Sequence, residues 1–352
     1  MLLKNMLTDP LISNRKPMEF TFYLGVDVSK HELDFSLRCG KESLFHKEIP
    51  NTPTTIKQFF KELKSVPEFK LDQTLICMEH TGIYSNHLLS FLVKAKASIW
   101  LESAIKIKRS MGLIRGKSDK IDAARIAQYA WEKREHAILW KPKREVVQKL
   151  AYLTILRRGL VEAQKQFKTQ LSESKAFMAK TIISEGQRLC ERTMNSLKTD
   201  LAKVEKAILQ IIKEDTRLSE IFEIATSVPG VGPVTATEMI LTTGDFEDFK
   251  DPKKFACYTG VAPFPHESGL YKGRSRVSHM ANKQMKTYLH MAALVAIQTD
   301  KEISDYYHRR ITEDKKSKML VINAIRNKLI HRVFSCIHQN RKYEKSYKYS
   351  LA

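Results

Sequence analysis

Short apolar runs separated by polar turns dominate the first third of the chain. Apolar, β-branched runs occupy residues 20–28, 32–38 and 43–48, with turn sequences at 29–31 and 39–41 between them. Runs of this length and residue type, broken by short turns, are typical of β-strands. The pattern therefore predicts an antiparallel, three-stranded meander.

Helical and strand patterns alternate after the meander. They predict a helix from Pro53, a strand up to Glu79, a second helix over 86–96 and a short strand over 98–101. A last helix is predicted to begin near Ser118, a residue type that is favoured as an N-cap. A meander followed by alternating helices and strands indicates an α/β domain.

Residues 144–220 have a helical pattern throughout. Glycine is sparse and proline is absent in this range. Apolar residues recur at helical spacing in two stripes, from Val146 to Leu171 and from Leu197 to Ile211. The pattern predicts two long helices that form an antiparallel pair or an intermolecular coiled coil. A plain helical connector would show the same pattern.

Two glycines lie between apolar helical stretches near residue 230. Gly230 and Gly232 belong to the sequence Val228-Pro-Gly-Val-Gly-Pro. Such glycines permit a tight turn, after which the next helix presents free backbone N–H groups to a phosphate. The pattern favours a helix-hairpin-helix for sequence-independent DNA binding in a mainly α domain. An ordinary helix–turn–helix used only in packing would have the same features.

These patterns divide the chain into five predicted parts. They are an N-terminal extension at 1–17, an α/β domain at 18–140, a long-helix region at 141–220, a mainly α domain at 221–340 and a basic tail at 341–352.

Four carboxylates in the α/β domain are the leading candidates for chemistry. Asp27 and Glu79 each close an apolar strand, and Asp119 and Asp122 lie three residues apart at the start of a helix, on one face. Buried charges are costly unless they are paired or bound to a cation. Mg²⁺ prefers oxygen ligands, and two such ions can activate the attacking oxygen and stabilise the leaving oxygen of a phosphodiester.

Each of these carboxylates also has an ordinary structural explanation. Asp27 would suit a turn at a strand end, Glu79 would suit the surface before a turn, and Asp119 would be favoured by the helix dipole. Together, in the order strand, strand and helix, they favour a Mg²⁺ site. That layout is typical of an RNase H-like nuclease domain.

Charge and composition narrow the class of partner. The net charge of +21 makes polyanions the expected partners. No apolar run approaches the roughly 20 residues that span a bilayer, and residues 1–17 show no secretory signal. The five cysteines lack zinc-ligand spacing and are expected as reduced thiols. We therefore expect a cytoplasmic, nucleoid-associated protein that binds nucleic acid and no membrane.

A second candidate centre lies around Ser268, which is predicted to lie on a glycine-flanked loop. The stretch from Lys272 to Lys286 contains five Lys and Arg residues and no acid, which suits a phosphate at close range. Ser268 could attack phosphorus, with Ser275 and Ser278 as alternative nucleophiles. A serine needs a base or a metal for activation, and a Ser-Gly sequence is also common in simple turns.

Basic residues and turn glycines supply the predicted nucleic-acid contacts. The three basic stretches are 105–125, 272–286 and 309–348. The residues singled out are Lys117, Lys120, Arg125, Gly230, Gly232, Lys272, Arg274, Arg276, Lys283 and Lys286.

Several motifs together resemble those of the DEDD transposases of bacterial insertion sequences, which include relatives of the Piv-type DNA invertases. The N-terminal motifs are Asp27, Met78-Glu79-His-Thr-Gly-x-Tyr84 and Lys117-Ser-Asp-x-x-Asp-Ala123. The C-terminal motifs are Val228-Pro-Gly-Val-Gly, Gly260-Val-Ala-Pro, Ser268-Gly and Gly273-Arg-x-Arg-Val-Ser. They occur in family order between about residues 20 and 300. Ala281 and Lys286 depart from the Gly and Arg that are usual in the family.

This resemblance implies a RuvC-like DEDD domain and a serine-bearing transposase domain joined by a coiled coil. It implies that Asp27, Glu79, Asp119 and Asp122 hold Mg²⁺ and that Ser268 forms a transient covalent link to a DNA phosphate. A structured guide RNA, the bridge RNA, would pair with donor and target DNA. A homo-oligomer, dimer or tetramer, would place the carboxylates of one protomer opposite the serine of another.

The sequence thus favours a Mg²⁺-dependent, RNA-guided DNA recombinase of an insertion sequence. The absence of a Walker A sequence agrees with strand exchange that needs no ATP. Two alternatives stay open. One is a RuvC-like endonuclease that hydrolyses DNA junctions with water, and the other is a non-enzymatic nucleic-acid-binding protein with a helix-hairpin-helix.

Overall fold

The chain folds into two compact units, residues 1–142 and residues 143–352. The computed structural model describes residues 20–79, 82–110, 119–268, 271–277 and 281–345. The predicted N-terminal extension at 1–17, residue Ser118 and the end of the basic tail lie outside the described residues. The finer division into five parts stays a prediction.

The first unit is built on one five-stranded mixed sheet. Its strands are β1 (Phe22–Val28), β2 (Glu32–Cys39), β3 (Glu42–Pro50), β4 (Thr74–Glu79) and β5 (Ser98–Glu102), in the order β3-β2-β1-β4-β5. β1, β2 and β3 pair antiparallel, which confirms the predicted meander. β4 and β5 extend the sheet in parallel beside β1.

Helices cover both faces of this sheet. They are α1 (Pro53–Leu63), α2 (Asn86–Lys94), α3 (Ala104–Ser110) and α4 (Asp119–Glu132), with short 3₁₀ turns at Leu71–Gln73, Gly82–Ser85 and Arg134–His136. Because side chains alternate along a strand, β1 contributes to two cores. Leu24 and Val26 pack with α1 and α2, whereas Tyr23 packs with α3 and α4. Because of this alternation, Asp27 lies on the face of β1 that α4 covers.

Gly25 sets the distance between β1 and α4. A Cβ atom at this position would lie 2.2 Å from the backbone nitrogen of Ala127 and 2.3 Å from the carbonyl oxygen of Ala123. Both atoms belong to the helix backbone, so neither can rotate away. The two backbones can approach this closely only because residue 25 has no side chain.

We expect Gly25→Ala to destabilise the first unit by roughly 3 kcal/mol, because the new methyl group must displace α4. Gly159→Ala is a matched control, since a Cβ there meets nothing within 4 Å. That change should stabilise its helix by up to about 1 kcal/mol. Chemical denaturation of the two variants measures both effects. An equally mild effect at both positions would contradict the close approach at Gly25.

The second unit is mainly helical. Its helices are α5 (Glu145–Glu173), α6 (Lys180–Glu214), α7 (Thr216–Thr226), α8 (Pro233–Thr243), α9 (Pro252–Tyr258), α10 (Lys283–Thr299), α11 (Lys301–Thr312) and α12 (Lys318–His338), with a 3₁₀ turn at Ser174–Ala176. α5 to α12 all contribute to one hydrophobic core. A β-hairpin of β6 (Phe264–Ser268) and β7 (Tyr271–Arg276) lies between α9 and α10 in sequence.

The long helices α5 and α6 form an antiparallel pair, as one of the sequence alternatives predicted. They pack along each other, and Arg157 on α5 forms an ion pair with Glu205 on α6 at 2.8 Å. Only the ends near Leu150 and Ile211 join the core of the unit. Large apolar side chains farther out, such as Leu189, are exposed. A coiled coil between two chains stays a prediction.

No helix in the described residues is both long enough and apolar enough to cross a membrane.

Candidate active site

Asp27 and Glu79 lie side by side at one edge of the sheet. β1 and β4 are parallel, and their register pairs Val26 with Met78, one residue before each carboxylate. The carboxyl ends of neighbouring parallel strands meet at the same edge, so both acids are brought there by strand pairing alone. Both side chains are half-buried.

The helix α4 adds Asp119 and Asp122 to this edge. Asp119 is the first residue of the helix, and Asp122 lies three residues on, so the two share a face. Contact of α4 with Gly25, two residues before Asp27, holds the helix against β1. The four acids predicted from the sequence thus come from three elements whose packing is fixed by backbone contacts.

The pKa shifts show that these carboxylates interact. Burial raises the pKa of Asp27, and the carboxylates of Asp119 and Asp122 raise it further, while a hydrogen bond from the backbone N–H of Val28 opposes the rise. Burial also raises the pKa of Glu79, with added contributions from Asp27 and Asp122. Like charges gathered at a partly buried site disfavour ionisation unless a cation offsets them.

An arginine on α4 partly offsets this charge. Arg125, one turn further along α4, donates a hydrogen bond of 2.7 Å to Oδ1 of Asp122. Arg125 was predicted to contact nucleic acid, and here it pairs with a candidate metal ligand. Lys120 on the same helix is exposed, and Lys117 lies outside the described residues.

The donor set suits a hard divalent cation. All four candidate ligands are carboxylates, whose oxygen atoms Mg²⁺ prefers. Within the described ranges, no group of three or more His, Cys, Asp or Glu side chains is arranged to hold a metal ion. The acids interact electrostatically without forming a ready coordination shell. Closing that shell would need side-chain rotation or substrate oxygens, which Mg²⁺ commonly recruits.

Sequence reasoning missed Asp34 and His46, which lie next to the candidate site. Asp34 on β2 is directly opposite Asp27 in the strand register and is only 5% exposed. Its Oδ1 lies 2.7 Å from Nε2 of His46 on β3. An acid within the apolar sequence Leu33-Asp-Phe-Ser-Leu37 could have marked Asp34 as unusual. Only the strand register shows that it lies opposite Asp27.

Glu102 is a third residue that the sequence did not single out. It ends β5 and pairs with Glu79 in the register of β4 and β5. The hydroxyl of Tyr129 donates to its Oε2 at 3.3 Å, and the Nζ of Lys106 lies 3.1 Å from its Oε1. Burial and Glu102 raise the pKa of Tyr129 to about 12. Glu102 is therefore partnered by a hydroxyl group and a lysine.

The second candidate centre lies on the hairpin in the second unit. Ser268 is the last residue of β6 and pairs with Tyr271 of β7. The sequence predicts a loop here, and the structure corrects this to a strand end. Polar strands without apolar alternation carry no strand signal, which explains the error. The side chains of Ser268, Lys272, Arg274, Ser275 and Arg276, and all of Ser278, lie outside the described residues.

The two turn glycines differ in their surroundings. Gly230 has a positive φ of 91°, and a Cβ there would lie 2.5 Å from the carbonyl oxygen of Ala292 on α10. Gly230 is therefore needed for packing, as expected for an ordinary helix–turn–helix. Gly232 is the N-cap of α8, and a Cβ there would meet nothing within 4 Å. Binding of phosphate at this turn stays a prediction.

The predicted contacts Lys283 and Lys286 lie in the first turn of α10. Lys283 is exposed and Lys286 is half-buried. Burial lowers the pKa of Lys286, and the nearby Arg326 lowers it further. Among the residues predicted to bind nucleic acid, Lys286 therefore has an environment that differs from an ordinary solvated lysine.

Two family models match the chain, and both describe transposases. The model described as "Transposase", for DEDD proteins of the IS110 type, matches residues 24–174 and includes all four acids. The model described as "Transposase IS116/IS110/IS902 family" matches residues 222–308 and includes Ser268. These matches define a transposase. The chain belongs to the IS116/IS110/IS902 family, which confirms the resemblance seen in the sequence.

Similar proteins match nearly the whole chain. The pilin gene-inverting protein of Moraxella bovis is 24% identical over 92% of this chain and 98% of its own length. The uncharacterized 44.8 kDa protein of insertion element IS116 from Streptomyces clavuligerus is 22% identical over 87% of this chain and 92% of its own.

Among the solved structures that match the chain is T. thermophilus RuvC in complex with Holliday junction substrate, with 13% identity and a TM-score of 0.26. The match covers 34% of this chain and 99% of that one. A TM-score this low carries no argument about this chain.

Proposed function

We propose that this transposase is a Mg²⁺-dependent DNA recombinase that cleaves and exchanges strands through a phosphoserine intermediate. The observation that carries the proposal is the gathering of Asp27, Glu79, Asp119 and Asp122 at one edge of the sheet. The raised pKa values of Asp27 and Glu79 support the presence of clustered negative charge at that edge, which a bound cation would offset. The domain would be RuvC-like, with α4 as its last catalytic helix.

The four carboxylates would hold and orient the cation. Bound Mg²⁺ would stabilise negative charge on the attacking and leaving oxygens of the phosphodiester. Asp34 and His46 would position Asp27 from the neighbouring strands, because Asp34 is buried opposite it and is held by His46. The arginine Arg125 would keep Asp122 oriented until substrate arrives.

Ser268 would be the nucleophile. Its Oγ would attack phosphorus, forming a serine–phosphate bond as one P–O bond of the DNA strand breaks. A hydroxyl of the partner strand would then attack the same phosphorus and release the serine. Each step exchanges one phosphate ester for another, so bond energy is retained and no nucleotide cofactor is consumed. The match of the transposase model across residues 222–308 supports this placement.

DNA would be the substrate and a structured RNA the guide. The net charge of +21 supports polyanionic partners. The similarity to a pilin gene-inverting protein supports rearrangement of DNA rather than its degradation. The glycine turn between α7 and α8 would bind DNA as a helix-hairpin-helix, with the free N-terminus of α8 at Gly232 facing phosphate.

The working enzyme would be a dimer or tetramer with composite active sites. The acids and Ser268 belong to different units of the chain, residues 1–142 and 143–352. Exposed apolar side chains on the outer half of the α5–α6 pair, including Leu189 at 71% exposed, support pairing with a second chain.

A recombination assay with mixed variants tests the proposal. The substrate is DNA containing the chain's own gene with its flanking sequence, together with RNA transcribed from those flanks. Wild-type protein should join strands only with Mg²⁺ and RNA. Asp27→Asn and Ser268→Ala proteins should each be inactive alone. When the two variants are mixed, they should regain a measurable fraction of activity. The intact carboxylates of the Ser268→Ala chain can then meet the intact serine of the Asp27→Asn chain in one oligomer.

Each failure in this assay has a separate meaning. Joining without RNA would contradict the guide, and cleavage without joining would favour a junction endonuclease. Lack of any Mg²⁺-dependent change in the DNA would favour a binding protein. If mixed oligomers form without recovery of activity, each chain completes its own site.

A further inference from the structure

A cationic cluster lies in the second unit, between α10 and α12. It consists of Lys286 and His290 on α10 and of Asn323 and Arg326 on α12, and we call it the Arg326 cluster. Arg326 is only 5% exposed. Within the described residues no carboxylate forms an ion pair with Arg326 or Lys286. A buried guanidinium without a counter-ion is costly, because desolvation is not offset by charge pairing.

Neutral groups satisfy only part of the Arg326 guanidinium. Its Nη1 donates to Oδ1 of Asn323 at 3.3 Å, and its Nη2 lies 2.5 Å from Nδ1 of His290. Its Nε is buried and has no hydrogen-bond partner among the described residues. Arginine carries five N–H donors, so the cluster has donor capacity that the protein does not use.

The contact with Arg326 also fixes the tautomer of His290. Since Arg326 can only donate, Nδ1 of His290 must accept, and the neutral ring then carries its proton on Nε2. Burial lowers the pKa of His290, and the charge of Arg326 lowers it further, which agrees with a neutral ring. The half-buried ring therefore offers one more N–H donor beside the two cations.

A second arginine on α12, Arg332, can be compared with Arg326. Arg332, less than two turns further along α12, is also mostly buried, but it bonds Asp300 and Glu302 at 2.7 Å each. Carboxylates thus neutralise Arg332, whereas Arg326 on the same helix has no carboxylate partner among the described residues. The difference indicates that the counter-ion of Arg326 comes from outside the described residues of the chain.

The Arg326 cluster lies at the base of the hairpin whose first strand, β6, ends at Ser268. Nδ2 of Asn323 donates to the carbonyl oxygen of Val261 at 2.6 Å, three residues before β6 begins. Lys286 lies in the first turn of α10, the helix that follows β7. The segment that leads into β6 is therefore bonded to Asn323 of the cluster, and α10, the next helix after β7 in sequence, carries Lys286.

We propose that the Arg326 cluster binds a phosphodiester group of the DNA strand that reaches Ser268. Two cations and a neutral histidine N–H would together supply charge-assisted hydrogen bonds to one phosphate. The identification of the phosphate as DNA rests on the proposed function. Arg326 lies within the basic stretch 309–348, but only the fold distinguishes it from the exposed cations there.

Thermal unfolding of the full chain in inorganic phosphate tests the anion site without any activity. At constant ionic strength, replacing chloride by phosphate should raise the Tm of the wild type by about 2–4 °C. Arg326→Gln and Lys286→Gln should lose most of that rise. Arg332→Gln, which lacks a buried arginine on the same helix, and Lys301→Gln, which lacks one exposed cation, should keep it.

Stability without phosphate separates binding from folding. Arg326→Gln should be at least as stable as the wild type in chloride, because it removes an unpaired buried charge. Arg332→Gln should be less stable, because it leaves Asp300 unpaired. If Arg326→Gln does not fold, Lys286→Gln alone decides, since that side chain is half-buried. A full phosphate response in Lys286→Gln and in any folded Arg326→Gln protein overturns the site.

Salt titrations with a short DNA duplex identify the source of the phosphate. Each variant of the Arg326 cluster should lower the slope of log K against log salt by about 0.9 and weaken binding on the order of tenfold. The Lys301→Gln control should leave both values close to those of the wild type. Loss of the phosphate response with unchanged DNA binding would contradict DNA as the ligand. If the phosphate response and the DNA titrations are as expected but recombination fails, only the proposed function is contradicted.

Discussion

Asp27→Asn, Glu79→Gln, Asp119→Asn and Asp122→Asn proteins are each expected to lose Mg²⁺-dependent strand cleavage and to keep DNA binding. The physical reason is that each change removes a cation ligand at the sheet edge, whereas binding depends on the basic surface. Cleavage should fall by roughly 10³-fold or more, since the loss of even one oxyanion donor costs about 10²–10³ in rate. A gel assay of labelled DNA measures cleavage and binding together.

The stability of the same variants gives a second readout. The folded pKa of Asp27 is raised above its unfolded value, so the folded state binds more protons in the interval between them. The contribution of Asp27 to stability is therefore greatest below its unfolded pKa and is lost as pH rises through its folded pKa. Asparagine cannot ionise and avoids this loss. At pH 7 without divalent cations, Asp27→Asn should be as stable as the wild type or more stable.

Added Mg²⁺ should reverse this order. It should raise the Tm of the wild type, because it offsets the clustered charge, and should have less effect on Asp27→Asn. Asp72→Asn is the matched control, since Asp72 is an exposed acid of the same unit. It should cleave DNA and respond to Mg²⁺ as the wild type does. Wild-type cleavage by Asp27→Asn would refute the metal site.

Ser268→Ala should lose strand exchange and the covalent protein–DNA intermediate. Without the hydroxyl, no serine–phosphate ester can form, and removal of a nucleophile in a serine enzyme costs about 10⁶ in rate. The folded stability should change little, because one hydroxyl at the end of β6 is removed. Denaturing gels that retain covalently bound DNA measure the intermediate.

Ser275→Ala and Ser278→Ala are the matched controls for Ser268→Ala. Both serines lie in the same basic stretch, and both variants should keep the intermediate. If Ser275→Ala or Ser278→Ala instead removed it while Ser268→Ala did not, the nucleophile would be reassigned.

The α/β fold of the first unit could be predicted because its signals are local. The apolar runs that give β1 to β5 are bounded by turns, and the acids that end β1 and β4 stand out against those runs. Strand pairing then brings Asp27 and Glu79 together, as the order of elements predicted. The close approach of α4 at Gly25 needed the structure, since a glycine in a strand has several uses.

Features that depend on pairing between distant residues could not be predicted. The polar hairpin β6–β7 lacks alternation, so Ser268 was expected in a loop. The pairing of Asp34 with His46 depends on the register of three strands. Arg326 belongs to a basic stretch that also suits a solvated helix face. Only the packing of α10 against α12 shows that Arg326 is buried and has no carboxylate partner among the described residues.

The most direct test of the central claim is to map the DNA-linked peptide by mass spectrometry. Wild-type protein is incubated with guide RNA, Mg²⁺ and substrate DNA, then denatured, treated with nuclease and digested. The account predicts a nucleotide remnant on Ser268, present in the wild type and absent with Asp27→Asn, where cleavage fails. Efficient Mg²⁺-dependent cleavage that leaves no nucleotide on any serine would contradict a phosphoserine recombinase and would establish hydrolysis by water.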